Sequence, residues 1–239
     1  MATAELAVDV AAVAAEAREF AGLRRRADEF TAVAGWKIGQ AWVAQAGGLR
    51  WLLTANGPGG RLAGLATAEA LGKARTRIVV SVGLCGALDA QFEPGAVVQA
   101  GEVVDGHGGR WGAGRVQGGA PVARVLSLDR VAVSRAEKRH WGAESGAGII
   151  EMEAAAVAGC AAQRGLPFYC LKAVSDGGDE ELPMDFNRFR DSEGRFSRVR
   201  IGAACALRPW LVPALLNFDR QCRRSIDRLG EYLVDARFD

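Results

Sequence analysis

Residues 148–159, GIIEMEAAAVAG, place Glu151 and Glu153 at the point where an apolar run meets an alanine-rich run. The isoleucines favour a β-strand and the alanines favour an α-helix. In α/β proteins such a junction lies at the carboxyl end of a strand, where ligands bind. An acid near a helix N-terminus also interacts favourably with the helix dipole, so each glutamate alone has a structural explanation. The fragment predicts an α/β fold and leaves the separate roles of the two glutamates open.

Apolar runs rich in β-branched residues recur along the chain and predict further buried strands. They are residues 6–13, 50–56, 77–83, 95–105 and 167–176. The segments after Asn56 and Met152 predict helices, the second of which ends at Gly165. Because residues 118–134 predict at least one more strand, we expect a three-layer α/β/α architecture with a mixed central sheet.

The composition is that of an ordinary globular protein, with 49% apolar and 24% charged residues. A net charge of +2 argues against a nucleic-acid partner. The two histidines, and five cysteines without a CxxC spacing, predict neither a metal site nor a disulfide framework. The N-terminal residues lack the basic start and apolar core of a signal peptide. We therefore expect a cytoplasmic protein without a metal or an organic cofactor.

The chain shows no composition break or Ser/Pro-rich linker, so a single domain over residues 1–239 is predicted. Residues 198–239 predict a C-terminal helical extension of that domain. Prolines disrupt helix interiors, so breaks are expected near Pro209 and Pro213.

Acidic, hydroxyl or glycine residues follow four of the predicted strands. They are Glu16, Gly83 with Gly86, Glu151 with Glu153, and Ser175 with Asp176. Taken singly, each has a structural interpretation as a first-turn acid, a tight turn or a helix N-cap. Taken together, they are expected to converge, because the carboxyl ends of parallel strands share one edge of a sheet. We therefore predict a ligand site at this edge.

Three segments carry a resemblance to a known family. They are residues 11–20 (AAVAAEAREF), 82–98 (VGLCGALDAQFEPGAVV) and 149–176 (IIEMEAAAVAGCAAQRGLPFYCLKAVSD). They resemble the signature regions of the nucleoside phosphorylase and nucleosidase superfamily, which includes the 5'-methylthioadenosine/S-adenosylhomocysteine nucleosidases. The resemblance implies cleavage of the N-glycosidic bond of a purine nucleoside through an oxocarbenium-like transition state. It also implies a homo-oligomer in which a neighbouring subunit closes the 5' end of the pocket.

The resemblance implies a role for each site residue. Asp176 is the acid that protonates or hydrogen-bonds N7 of the purine, and Glu16 activates the attacking water. Glu153 accepts hydrogen bonds from the ribose hydroxyls, Met152 packs against the sugar, and Glu151 supports them. The remaining substrate-binding positions are Cys85, Gly86, Val131, Ala132 and Ser175.

The nucleophile distinguishes the branches of the superfamily. Ser81 stands where the phosphorylases carry an arginine, Leu84 stands where they carry a threonine, and an N-terminal Gly-Asp-Pro is absent from the sequence. Because phosphate recognition needs several donors in one place, these residues favour hydrolysis over phosphorolysis. A phosphorylase with a site rebuilt from arginines is the main alternative; the candidates are Arg110, Arg130 and Arg135. A nucleoside-binding protein without turnover is a further alternative.

Leu84 and the arginine-rich tail over residues 198–228 resemble a hopanoid-associated branch of the superfamily, described as removing adenine from adenosylhopane. This resemblance implies a nucleoside with a large apolar group on its 5' carbon. It makes a lipidic substrate or a membrane surface one candidate partner of the tail. A helix that packs on the core or on a neighbouring subunit is the structural alternative.

Overall fold

The computed structural model describes residues 6–239, and a ten-stranded mixed β-sheet forms its centre. The described strands are β1 (Leu6–Ala7), β2 (Val10–Ala14), β3 (Glu29–Ala32), β4 (Gln40–Ala46), β5 (Leu49–Ala55), β6 (Ala74–Arg75), β7 (Ile78–Ala87), β8 (Val97–Asp105), β9 (Arg110–Gly112), β10 (Val116–Gln117), β11 (Val122–Ser127), β12 (Ile149–Glu151), β13 (Phe168–Asp176) and β14 (Arg237–Phe238). The described α-helices are α1 (Ala21–Arg24), α2 (Gly60–Lys73), α3 (Arg135–Ser145), α4 (Ala154–Gln163), α5 (Arg198–Leu207) and α6 (Val212–Asp235). The predicted α/β architecture with a mixed central sheet is confirmed.

The strand order in the main sheet is β12-β11-β8-β13-β7-β2-β5-β4-β3, with β9 paired to β8. Strands β13, β7, β2 and β5 run parallel to their neighbours in this series and form the centre of the sheet. Strand β12 also pairs with β7, antiparallel, with Ile150 opposite Gly86. The carboxyl ends of β7 and β13 and the end of β12 are thereby brought to one place.

Helices cover both faces of the central strands, which is why those strands are almost continuously apolar. Helices α2 and α4 contact each other and cover one face, and α6 packs on β13 and on α1 at the other. The contact between α1 and α6 is close. A Cβ on Gly230 would lie 2.1 Å from the backbone carbon of Gly22, so only glycine fits where the two backbones meet.

The structure differs from the sequence prediction at the sheet edge and in the tail. The antiparallel strands β3 and β4 were not predicted, because β3 is largely exposed and lacks an apolar pattern. The predicted helix break near Pro209 is confirmed by a 3₁₀ turn, Pro209–Leu211. The predicted break near Pro213 is wrong. Pro213 lies in the first turn of α6, where backbone N–H groups have no intrahelical acceptor, so proline breaks no helical hydrogen bond there.

Over residues 6–239, no single helix is both long and apolar enough to cross a membrane. Residues 198–207 and 209–235 pass that test of length and composition only as a pair, and this pair is bent by 111°.

Candidate active site

The carboxylate beside β7 belongs to Glu19. Glu19 lies in a 3₁₀ turn, Ala17–Phe20, that follows β2, and its side chain accepts hydrogen bonds from the N–H groups of Ala15 (2.9 Å) and Glu16 (3.1 Å). A Cβ on Gly83 would lie 2.9 Å from Oε2 of Glu19, and Gly83 has a φ of +134°. Glycine therefore lets the backbone of β7 approach this carboxyl group closely. Burial raises the pKa of Glu19 above its usual value.

Glu16, the residue predicted to activate water, lies at the start of the same turn but points elsewhere. Its side chain is 27% exposed and forms an ion pair with Arg18 at 2.7 Å. The structure thus brings Glu19, rather than Glu16, against β7.

A buried lysine that the sequence analysis missed organises the acids of the opening fragment. Lys172 of β13 is fully buried, and its Nζ lies 2.8 Å from Oε2 of Glu151 and 3.9 Å from Oε2 of Glu153. It also donates a hydrogen bond to the Val82 carbonyl at 3.2 Å. Burial lowers the pKa of Lys172, but Glu151 and Glu153 raise it by more, so the net shift is upward. The charged form of Lys172 is accordingly stabilised by the buried carboxyl groups around it.

Glu151 and Glu153 have different surroundings and therefore different structural roles. Glu151 accepts hydrogen bonds from the N–H groups of Glu153 (3.1 Å) and Ala154 (3.0 Å), so it caps the start of α4. Glu153 instead accepts a hydrogen bond from the N–H of Gly59 at 2.8 Å. Burial, followed by the charge of Glu151, raises the pKa of Glu153 from 4.5 to about 8. Met152 is buried between the two.

Asp176, at the end of β13, has its own buried lysine. Nζ of Lys138 lies 2.6 Å from Oδ2 of Asp176 and donates to the carbonyls of Gly177 (2.6 Å) and Glu180 (2.9 Å). The hydroxyl of Ser175 contacts the other carboxyl oxygen and donates to the Cys85 carbonyl at 3.0 Å. Burial raises the pKa of Asp176 above its usual value, although Lys138 opposes that shift.

Two further predicted residues adjoin this carboxyl group. A Cβ on Gly86 would lie 3.1 Å from Oδ2 of Asp176, so the β7 backbone borders the acid there. The thiol of Cys85 is buried, and burial raises its pKa well above the usual value. Backbone atoms of β7, rather than the Cys85 thiol, are therefore the groups available to a ligand at this position.

Val131 and Ala132, which were predicted to bind substrate, lie in the loop after β11. The Asn187 side-chain amide accepts from the Val131 N–H and donates to the Val131 carbonyl, both at 2.9 Å. Ala132 is buried in a small apolar cluster. Asn187 also borders a pocket of about 550 Å³ whose lining includes Gly59, the residue that donates to Glu153. The loop around Asn187 thus forms one wall next to the buried acids.

The residues proposed for a phosphate site do not enter the buried cluster. Ser81 is fully buried inside β7, opposite Val13 and Cys170. Arg110 pairs with Glu102 at 2.9 Å, and Arg130 pairs with Glu137; both arginines are largely solvent-exposed. Arg135 is exposed at the start of α3. In the described chain, the cation beside Glu151 and Glu153 is Lys172.

Comparison with known proteins identifies the fold. A family model described as the phosphorylase superfamily matches residues 116–203. No curated protein sequence is significantly similar to the chain. The 5'-methylthioadenosine/S-adenosylhomocysteine nucleosidase of Neisseria meningitidis, solved with methylthio-immucillin-A, has a TM-score of 0.68 and 23% identity, and the match covers 95% of this chain and 97% of that one.

Two other solved structures also share the fold. The S-adenosylhomocysteine nucleosidase of Streptococcus pyogenes, solved with 5-methylthiotubericidin, has a TM-score of 0.70 at 15% identity, over 98% of this chain and 97% of that one. The futalosine hydrolase of Helicobacter pylori has a TM-score of 0.67 at 14% identity, over 96% of each chain. The resemblance to the nucleoside phosphorylase and nucleosidase superfamily is confirmed, and the family match supports the prediction of a nucleosidase or nucleoside phosphorylase.

Proposed function

We propose that the protein hydrolyses the N-glycosidic bond of a purine nucleoside and releases the free base. The observation that carries this proposal is the convergence of three buried acids, Glu19, Glu153 and Asp176, at neighbouring ends of β2, β12 and β13. The solved structures with the same fold include nucleosidases in complex with nucleoside analogues. Three participants in the reaction need a protein group beside them: the leaving base, the ribosyl cation and the attacking water.

In this proposal Asp176 acts on the leaving purine base. A purine that leaves as an anion is a poor leaving group, so a proton or a strong hydrogen bond at N7 lowers the barrier. Burial raises the pKa of Asp176 above its usual value, which brings its proton affinity closer to that needed for proton transfer at N7. Lys138 and Ser175 each hold one oxygen, which fixes the plane of the carboxyl group. Positioning of this kind reduces the reorganisation needed in the transition state.

Glu153 serves the sugar, with Met152 packed beside it. A carboxyl group next to the ribose accepts hydrogen bonds from its hydroxyls, and in its ionised form it stabilises a developing ribosyl cation. Glu153, Glu151 and Glu19 together carry more potential negative charge than the single ammonium group of Lys172 offsets. The sugar side of the site therefore matches a positively charged transition state.

Glu19 serves the nucleophile and replaces Glu16 in the role assigned from the sequence. It is buried, lies against Gly83 of β7 and has a raised pKa, all of which suit a general base that takes a proton from water. A phosphate dianion at the same place would lie close to two acidic side chains, Glu19 and Glu153. Lys172 is already engaged by Glu151 and Glu153, so it contributes little to the binding of that dianion.

Release of adenine from adenosine and from methylthioadenosine, measured in phosphate-free buffer and with added phosphate, tests the proposal. We expect release without phosphate, with a free reducing sugar as the second product. Strict dependence on phosphate, with ribose 1-phosphate formed, would contradict hydrolysis but retain glycosidic cleavage. Absence of release from a panel of 5'-substituted nucleosides that bind would favour a binding protein.

The same panel defines the substrate. We propose an adenosine-like nucleoside with a substituent on the 5' carbon, since two of the structural neighbours are solved with methylthio-immucillin-A and 5-methylthiotubericidin. A higher kcat/KM for methylthioadenosine than for adenosine is the expected result. Equal values for the two would show that the 5' substituent is not recognised.

A further inference from the structure

Residues 195–217 differ from the rest of the surface in their apolar exposure, and we call them the arginine–tryptophan segment. They include α5, the Pro209–Leu211 turn and the first residues of α6. Four of the large apolar side chains exposed in the described chain lie in this short segment: Val199 (83%), Leu207 (80%), Trp210 (70%) and Leu216 (58%). No residue of α5 is buried. The segment thus presents an apolar surface that nothing in residues 6–239 covers.

The charged residues of this segment all have positive side chains. It contains Arg195, Arg198, Arg200 and Arg208, and it has no aspartate or glutamate, so its formal charge is +4. The whole chain carries only +2. Arg198 and Arg208 are exposed at the two ends of α5. The covering partner must therefore offer an apolar layer together with negative charge.

The segment is anchored firmly to the region of Asp176. Phe186, in the loop after β13, packs against Phe196 and Phe218 with ring centroids 6.3 and 5.9 Å apart. Farther along α6, Gln221 donates a hydrogen bond to the Ser175 carbonyl at 2.9 Å. The exposed apolar side chains therefore have a fixed position relative to the carboxyl end of β13.

We propose that the arginine–tryptophan segment docks the protein on an anionic lipid bilayer. Apolar side chains enter the boundary between headgroups and acyl chains, where tryptophan is favoured, and guanidinium groups bind lipid phosphates. The near-perpendicular bend between α5 and α6 suits shallow insertion of the corner around Trp210. This proposal is independent of the reaction proposed above.

A second copy of the chain is a poorer match for the same surface. A two-fold contact centred on the segment would bring it against itself, and the +4 charge of each copy would then repel the other. An anionic bilayer supplies the charge and the apolar layer together.

The test uses the full chain in co-sedimentation with vesicles of phosphatidylcholine alone or of phosphatidylcholine with phosphatidylglycerol. Two variants address the two parts of the surface: the apolar triple L207S/W210S/L216S and the charge pair R198Q/R208Q. The matched control is L65S/V122S, which removes two exposed apolar side chains, 43% and 41% exposed, from other parts of the surface. Base release from a soluble nucleoside and the oligomeric mass are measured for every protein.

We expect the wild type and L65S/V122S to bind the anionic vesicles but not the neutral ones. Each segment variant should lose roughly tenfold or more in lipid partition, with base release and oligomeric mass unchanged. Absence of binding to anionic vesicles by the wild type would overturn the proposal, as would equal binding by the variants. A change in oligomeric mass in the segment variants would show instead that this surface contacts another protein subunit.

Discussion

Lys172 and Lys138 are both fully buried, but their ammonium groups have different partners. Lys172 lies between Glu151 and Glu153, with the buried Glu19 also close enough for the two charges to interact. Lys138 has one carboxylate partner, Asp176, and two backbone carbonyls. The sugar side of the proposed site therefore has an excess of acid, whereas the base side is balanced one to one. That difference matches a cationic sugar on one side and a base that needs a single proton on the other.

Replacement of the acid that we place next to the nucleophile should have the largest effect. Glu19→Gln keeps the size of the side chain but removes the base, so kcat for base release should fall by about 10²–10⁴-fold. Glu16→Gln is the matched control, since Glu16 lies three residues away, at the start of the same turn, and is ion-paired to Arg18. We expect less than a tenfold loss for that variant. The reverse order of the two losses would restore Glu16 as the base.

The Glu16–Glu19 comparison shows what the sequence can and cannot provide. The strand ends, the mixed sheet and the convergence of acids were predictable, because long apolar β-branched runs alternate with helical patterns. Which glutamate of the turn faces β7 depends on a close approach to Gly83, a contact between residues 64 positions apart. The same limit applies to Lys138. It lies in a helix that is otherwise mostly exposed, and its burial depends on Asp176, 38 residues later.

Lys172 was visible in the sequence as the only charged residue among the apolar residues of β13 that precede Ser175 and Asp176. Its importance could not be predicted, because a lone lysine in a strand pattern has no stated partner until the fold brings Glu151 to it. The antiparallel edge strands were missed for a related reason. Edge strands exposed to solvent need no continuous apolar pattern.

Removal of Lys172 should cause the largest loss of stability. Lys172→Met leaves Glu151 and Glu153 buried without their cation, and the expected decrease in the free energy of unfolding is about 3–5 kcal/mol. Urea unfolding followed by circular dichroism measures this decrease. Lys73→Met, which breaks a surface ion pair with Glu69 at 2.8 Å, serves as the control and should cost about 1 kcal/mol or less. Similar costs for both variants would contradict a central role for Lys172.

Lys138 has one carboxylate partner, so removing that partner as well should restore stability that is lost when Lys138 is replaced. A corresponding second substitution should restore less at Lys172, which has two glutamate partners. Lys138→Met should cost about 3 kcal/mol, because the Asp176 carboxylate is left buried and unpaired. Adding Asp176→Asn removes that charge and should recover about 1–3 kcal/mol of the free energy of unfolding. The corresponding pair Lys172→Met/Glu151→Gln should recover less, because Glu153 stays unpaired. Both double-mutant cycles can be measured by urea unfolding, and equal recovery would show that the two lysines have equivalent surroundings.

The excess of acid on the sugar side also predicts a specific pH dependence of stability. Glu153 has a pKa of about 8 in the folded chain and about 4.5 in the unfolded chain, so between these values the folded chain holds a proton that the unfolded chain has released. The free energy of unfolding therefore falls as the pH rises through this window. The stabilisation is fully present below about pH 4.5 and is lost above about pH 8.

Glu153→Gln is neutral at every pH and should make this fall shallower. It should not abolish the fall, because the pKa values of Glu19 and Asp176 are shifted in the same direction. The measurement is the free energy of unfolding in urea at several pH values across the window, for the wild type, Glu153→Gln and the control Glu16→Gln, whose carboxyl group is ion-paired to Arg18. The control should keep the slope of the wild type. A wild-type stability that rises with pH across this range, or a slope unchanged by Glu153→Gln, would show that Glu153 is ionised in the folded chain. In that state Glu153 would stabilise the ribosyl cation by its full charge before substrate binds, and the two lysine sites would differ in charge as fully as their geometry indicates.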